Sequence, residues 1–361
     1  MTLTAAIAQT VRRSMTPTTA ARRPDPADAS ADASATASAD GFAAAIDAHR
    51  RDVVLLCYRF LGSLAEAEEA AQETALRAWR GRAAFRGEAS VRTWLHRIAA
   101  RVCLDLLRTR RARRLPPDVV DHPADPADPP APPETEIAWL EPLPDDIVAG
   151  AGSSAGSIDP AARFDLRESV SLAFIAALQV LPPRQRAVLL LRDVLAWTAR
   201  ETADALDMTV PAANSALHRA RAAMQATHHR TGREAVASAA PDNPAVRRLL
   251  DAYVRAWQSD DVDGLVATMR ADVRLAMPPS PSWYEGRAAV EAGMRRWIFG
   301  ALRPVAGYAV RSTIANGQPA AVFAPADDAD HPLGVQVLDV ADGRVAAITV
   351  FLDGAIAARF A

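Results

Sequence analysis

The chain runs to 361 residues, half of them apolar, which is enough for two or three cores. Its formal charge of −2 conceals segments of opposite sign: residues 41–114 hold 15 Arg against 8 acids, 115–165 hold 1 against 11, and 166–235 hold 9 against 6. Two basic stretches flanking an acidic one suit a protein that touches nucleic acid at two places. No run approaches the roughly 20 apolar residues of a membrane span and the start lacks the apolar core of a secretion signal, so a cytoplasmic protein without membrane contact is expected. Cys57 and Cys103 lie far apart in apolar helical patterns and read as buried thiols; no metal or cofactor is expected.

Residues 1–40 are rich in Ala, Ser, Thr, Asp and Pro, a composition that reads as a disordered extension, with Met15 as an alternative start. From 41 to 114 the pattern is helical, with breaks only at Gly62 and between Gly81 and Gly87. Its first part turns Phe42, Ile46, Val53, Leu56, Cys57 and Phe60 inward. A second helix over 64–79 is expected to turn Leu76 and Trp79 inward too. The third, from Val91 to about Arg110, buries Leu95, Ile98, Val102 and Leu106 and spreads Arg92, Arg97, Arg101 and Arg108 over its remaining surface. Trp94 shares the phase of Leu95 and Ile98, so it reads as core or as a surface for an unstacked base. Residues 115–165 form an acidic strap, dense in Pro and Asp, that cannot sustain helix or sheet for long.

Helices resume over 166–230, pausing at Leu181 and the two prolines after it. The stretch from Trp197 to Arg221 reads as helix, turn, helix. Ala199, Thr202, Ala203 and Leu206 share one side of the first helix, the turn falls at Asp207 to Thr209, and Pro211 sits in the first turn of the second helix, where proline is favoured. Val210, Ala213, Leu217 and Ala220 recur at packing intervals, leaving Asn214, Ser215, His218, Arg219 and Arg221 to hydrogen-bond base edges or phosphates. The plainer alternative is a helical hairpin with a solvated basic face. A linker over 231–243 precedes a tail, 244–361, with two helices and then alternating apolar strands around 273–277, 320–323, 334–338 and 345–351.

These segments resemble the extracytoplasmic-function group of the bacterial sigma-70 family. Residues 66–79 are similar to region 2.2, residues 90–108 to regions 2.3 and 2.4, and residues 181–194 with the hairpin to region 4. The resemblance implies two all-α modules, a region 2 helical bundle and a region 4 helix-turn-helix. It also implies RNA polymerase core, through its clamp and flap, and promoter DNA as partners. Glu68, Glu69, Gln72 and Glu73 would meet the clamp. Arg92, Trp94, Arg97, Arg101 and Arg108 would serve the −10 element, and Pro211, Asn214, Ser215, His218, Arg219 and Arg221 the −35 element. The strap would thread polymerase channels that otherwise hold nucleic acid. Arg101 stands where the family often has Asn, and Asp207 where its turn usually has Gly.

The tail resembles a SnoaL-like domain of the NTF2-like superfamily, an α+β cone over a bent sheet, on residues 249–257, 275–286 and 348–353. The resemblance implies a regulatory tail without covalent chemistry and leaves room for a small-molecule ligand in a pocket lined by Trp257, Met277, Trp283, Tyr284, Trp297 and Phe351; the same side chains equally suit a filled core. His331 and Asp353 do not assemble into an evident acid–base pair. Two other readings stay open: a one-component helix-turn-helix regulator with a ligand-sensing tail, and a SnoaL-like enzyme anchored by its front half. The acidic residues 68–73 count against the first.

Overall fold

The computed structural model describes residues 38–87, 89–150, 166–231 and 241–360; the expected N-terminal extension up to residue 37, the end of the strap and most of the second linker lie outside them. The first module is built from α1 (Ala39–Ala48), α2 (Arg50–Leu61), α3 (Leu64–Gly81) and α4 (Val91–Leu106). Serines 38, 63 and 90 cap three of these helices by accepting a hydrogen bond from the backbone three residues on. The inner side of α3 is a row of small residues, Ala67, Ala70, Ala71, Thr74 and Ala78, which lets it lie close on α2 and α4. That row sets the phase, so Leu76 and Trp79 point outward, half and one-third exposed, contrary to the expectation from the sequence.

The strap carries a short α5 (Asp145–Gly150) that packs on α2 of the first module, and the second module contains α6 (Leu172–Val180), α7 (Pro183–Leu189) with a π turn over Leu190–Val194, α8 (Ala199–Ala205) and α9 (Val210–Thr231). In the tail, α10 (Pro244–Gln258), α11 (Val262–Ala267) and α12 (Arg287–Gly293) cover one face of a six-stranded sheet. Its strands are β1 (Met269–Ala276), β2 (Trp283–Glu285), β3 (Tyr308–Ala315), β4 (Gln318–Pro325), β5 (Gly334–Ala341) and β6 (Arg344–Phe351), in the order β2-β1-β6-β5-β4-β3. Only β1 and β6 run parallel. A short α13 (Gly354–Ala357) follows.

The central strands are apolar on both sides because both sides are buried. Ala321, Phe323, Leu338 and Val340 face the tail helices, whereas Ala320, Val322, Val335, Val337 and Phe351 join a second core that continues through both helical modules. The strap's residues 139–143 form the seam. Leu140 lies against Gly62, whose left-handed φ of 72° ends α2 and where a Cβ would come within 2.7 Å of the leucine methyl. Glu141 accepts hydrogen bonds from Ser63 Oγ (2.8 Å) and Leu64 N (3.2 Å), a carboxylate at the N-terminus of α3.

Into this seam the β3–β4 hairpin inserts its tip. Asn316 and Gly317 both have positive φ, 56° and 65°, as a tight two-residue hairpin turn requires. The fully buried Asn316 donates from Nδ2 to Tyr58 Oη (2.8 Å) and Val170 O (2.7 Å), and its Oδ1 accepts from Leu143 N (2.8 Å). Tyr58 in turn donates to Glu141 O (2.7 Å), and burial raises its phenol above the usual range. Two buried guanidinium groups bridge the helical modules. Arg186 donates to Phe60 O, Gln179 and Leu181 O, and Arg59 donates to Ser169 O (3.2 Å) and Oγ (2.6 Å); burial pulls each pKa down to about 10, leaving both charged at neutral pH.

Replacing Asn316 by Ala strands the Leu143 N–H, the Val170 carbonyl and one Tyr58 valence in a dry site. We expect a loss of about 2–4 kcal/mol in urea unfolding of the full chain. A second prediction concerns acid. His96 is buried among Arg92, Asp52, His49 and Arg59, and burial, reinforced by Arg92, lowers its pKa to about 3. The native state therefore holds it neutral while the unfolded chain protonates near its ordinary value. Stability should fall as pH drops from about 6.5 toward 3, by about 2 kcal/mol between pH 7 and 5. His96→Gln should flatten that slope in the same unfolding series.

Candidate nucleic-acid interface

Thr198 and Glu201 cap α8 reciprocally: Glu201 N donates to Thr198 Oγ1 (3.2 Å) and Thr198 N to Glu201 Oε2 (2.7 Å). Asp207 then turns the chain with a left-handed φ of 51°, a conformation that Asp tolerates better than most residues. Along α9, Ala213, Ala216, Leu217, Ala220 and Met224 are buried. Pro211, Asn214, Ser215, His218 and Arg219 are all exposed on the opposite side, joined by Val210, which had been expected to pack inward. Val210 lies in the first turn, ahead of the buried row that begins at Ala213. Arg221 departs from this row. Half-buried, it forms a bidentate pair with Asp193 (2.7 and 3.0 Å) that ties α9 to the π turn after α7.

On α4 the four arginines have separate surroundings. Arg92 pairs with the buried Asp52 at 2.8 Å, Arg97 is half-buried, and Arg108 is exposed, 3.4 Å from Asp105. Arg101 donates to Ala205 O (3.0 Å) and to both carboxylate oxygens of Asp207 (3.0 and 3.1 Å), so the helix expected to read one DNA element is held on the turn of the hairpin expected to read the other. Trp94, half-buried, packs against the core in an aromatic cluster with Phe42 (5.8 Å between ring centroids) and Phe85 (5.3 Å).

Glu68, Glu69, Gln72 and Glu73 lie along one side of α3. Glu69 and Gln72 are exposed, Glu73 pairs with Arg77 (2.7 Å), and Glu68 pairs with Arg359 from the end of the tail (2.6 Å). The exposed Leu76 and Trp79, the latter capped by the Arg82 guanidinium at 4.4 Å, continue this side at spacings of four and seven from Gln72. The helical spacing was available in the sequence, but the apolar character of both residues argued for burial.

The six residues suggested for a tail pocket do not converge. Trp257 is packed by Phe299, Tyr308 and Phe323, at centroid distances of 4.8, 5.2 and 6.0 Å. Met277 and Tyr284 are buried in the same core, whereas Phe351 lies in the other core, against the helical modules, because β6 alternates its side chains between two covered faces. Trp283 and Trp297 direct their indole N–H groups at the strap. His331 pairs with Asp328 (2.6 Å) on an exposed loop, and Asp353 caps α13, so the two form no dyad.

Three family models match in series: Sigma-70 region 2 over residues 45–113, Sigma-70 region 4 over 171–224, and a SnoaL-like domain over 250–357. The ECF RNA polymerase sigma factor SigG of Mycobacterium tuberculosis is 41% identical over 326 residues, covering 88% of this chain and 83% of that protein. The chain belongs to the ECF RNA polymerase sigma factors. Sigma factors act with RNA polymerase core and promoter DNA and are not enzymes. SigJ of the same organism is 29% identical over 228 residues, 63% of this chain and 62% of its own length. The crystal structure of SigJ aligns with a TM-score of 0.53 at 22% identity, over 86% of this chain and 97% of that one, and so shares the fold. Among the described residues of this sigma factor, no helix is long and apolar enough to cross a membrane.

The divided surroundings of the two α9 arginines generate a prediction. Arg221→Ala should lower the melting temperature by several degrees, since it breaks a part-buried bidentate pair worth about 1–3 kcal/mol. Arg219→Ala should leave it unchanged, with calorimetry as the check.

Proposed function

We propose that α9 reads the −35 element through Pro211, Asn214, Ser215, His218 and Arg219, that α4 with Arg92, Arg97, Arg101 and Arg108 serves the −10 element, and that the side of α3 from Glu68 to Trp79 meets the polymerase clamp. The observation that carries this reading is the exposed polar row on a helix whose other side buries Ala213, Ala216, Leu217, Ala220 and Met224, since a major groove accepts such a helix and each good base contact discriminates by roughly 1–3 kcal/mol. Arg221 acts as a brace rather than a reader, and Trp94 anchors α4 on Phe42 and Phe85. The strap passes through polymerase channels and region 4 meets the flap. The protein works in the cytoplasm.

The tail is regulatory and does no chemistry, a reading supported by the packing of Trp257 against Phe299, Tyr308 and Phe323 and by the separate places of His331, on an exposed loop, and Asp353, capping α13. It acts by holding a closed form. Arg359 occupies Glu68 of the clamp-facing side, and the Arg101–Asp207 pair holds α4 on the hairpin. Two residues at which the chain departs from its family's pattern thus meet each other.

Both ion pairs are partly open to solvent and contribute under about 1 kcal/mol each to stability, so variants can break them without unfolding the chain. Run-off transcription with purified core polymerase tests the proposal. Arg359→Ala should tighten core binding severalfold, and Asp207→Gly, which also suits the left-handed turn, should raise transcript yield severalfold. Wild-type yields from both variants would sink the closed-form account, and promoter-specific transcripts that survive replacing Asn214 and Arg219 by Ala would sink the assignment of α9.

A further inference from the structure

The strap does not merely connect the helical modules; it crosses the rim of the tail where β2 meets the π-helical extension of α12, Met294–Ala301. Five hydrogen bonds fix it there. Trp283 Nε1 donates to Val120 O (2.9 Å) and Trp297 Nε1 to Pro126 O (3.0 Å). Ala124 N donates to Trp283 O (2.8 Å), Ala131 N to Ser282 Oγ (2.8 Å) and Glu134 N to Pro279 O (2.9 Å). The methyl of Ala124 packs against the tail core, whereas Asp121, Asp125 and Asp128 are exposed.

Every one of these contacts reads the strap's main chain and none reads its charge. A proline-rich segment suits such a grip: it has little conformational entropy to lose, and its carbonyls have no ladder or helix of their own to satisfy. An indole supplies an apolar body and one directed donor, the combination by which aromatic-lined grooves hold extended proline-rich chains. Arg274, itself paired with Glu285 (2.6 Å), and Arg296 lie over the two indoles, at 6.0 and 5.2 Å from the ring centroids, and Arg296 gives its part of the rim the sign that an acidic strand prefers.

We propose that the tail carries a binding surface for an extended, acidic, proline-rich chain, that residues 120–134 are its resident ligand, and that Trp283 and Trp297 hold this ligand until a basic surface takes it. The second step rests on the reading that the strap enters polymerase channels. The exposed carboxylates of Asp121, Asp125 and Asp128 are the handle: a basic wall can engage them while the tail still grips the backbone. Loading onto polymerase then removes the strap from the tail, which links the tail to the step at which the factor is committed to the enzyme.

The test uses the full-length chain with Trp283→Phe and Trp297→Phe, singly and together, which keep an aromatic ring and remove the donor. Hydrogen exchange in the absence of polymerase should accelerate about tenfold at the amides of Ala124 and Ala131 in the double variant, with exchange in β3 and β4 unchanged. The rate of association with core polymerase should rise severalfold in the same variant. Strap amides that stay protected would overturn the binding surface, whatever the polymerase does. Faster strap exchange with an unchanged association rate would overturn the hand-over while leaving the surface standing. Neither outcome touches the reading of the chain as a promoter-selecting subunit, which wild-type run-off transcription checks separately.

Discussion

Asn316 brings one side-chain amide to the point where four segments of the chain meet. Its three hydrogen bonds reach α2, the strap and the segment leading into α6, from a hairpin of the tail. In a site without solvent, each of those groups depends on the others, since a buried donor or acceptor left alone costs more than the bond it would make. Geometry reinforces the dependence: the amide arrives in place only because Asn316 and Gly317 take up the left-handed turn that joins β3 to β4. The closed arrangement of this factor is therefore specific, and a small displacement of the hairpin is felt by both helical modules at once.

Around that node the arrangement divides into parts suited to persist and parts suited to release. Arg59 and Arg186 are buried charges whose partners are main-chain, hydroxyl and amide oxygens, and removing such a partner is expensive. Arg101–Asp207 and Arg359–Glu68 lie at the surface, where water competes and salt screens. The strap's contacts with the tail are intermediate, single hydrogen bonds spread along an extended chain. On the proposed reading, in which the factor opens to span two DNA elements, the second and third classes are surrendered at little cost, while the first class, which bridges the helical modules, sets the barrier to separating them.

The sheet explains why the tail is part of this machine rather than an appendage. β4 and β5 bury both faces, one beneath the tail helices and the other against the helical modules. Separating the tail would expose Val322, Val335, Val337 and Phe351 together, so the hydrophobic effect favours docking independently of any ion pair.

Much of the local structure was legible in the residues. The alanine and leucine spacing marks the helices, Pro182 and Pro183 place the break before α7, and the helix-turn-helix appears with its turn at Asp207 and its exposed row at Asn214, Ser215, His218 and Arg219, because these features depend on neighbours within a turn or two. The strands around 320–323 and 345–351 were visible by their apolar runs, while β3, with polar residues at its centre, and α12 with its π extension were not. What only the tertiary structure decided is which surfaces meet. The outward direction of Leu76 and Trp79 follows from the alanine row choosing the packed side of α3, and Phe351 lies away from Trp257 because the sheet has two covered faces. Arg359 reaches Glu68, Asn316 reaches Tyr58 and Trp297 reaches the strap across sequence separations of 291, 258 and 171 residues. Periodicity and capping act over a few residues, whereas such pairings are selected by the packing of the whole chain.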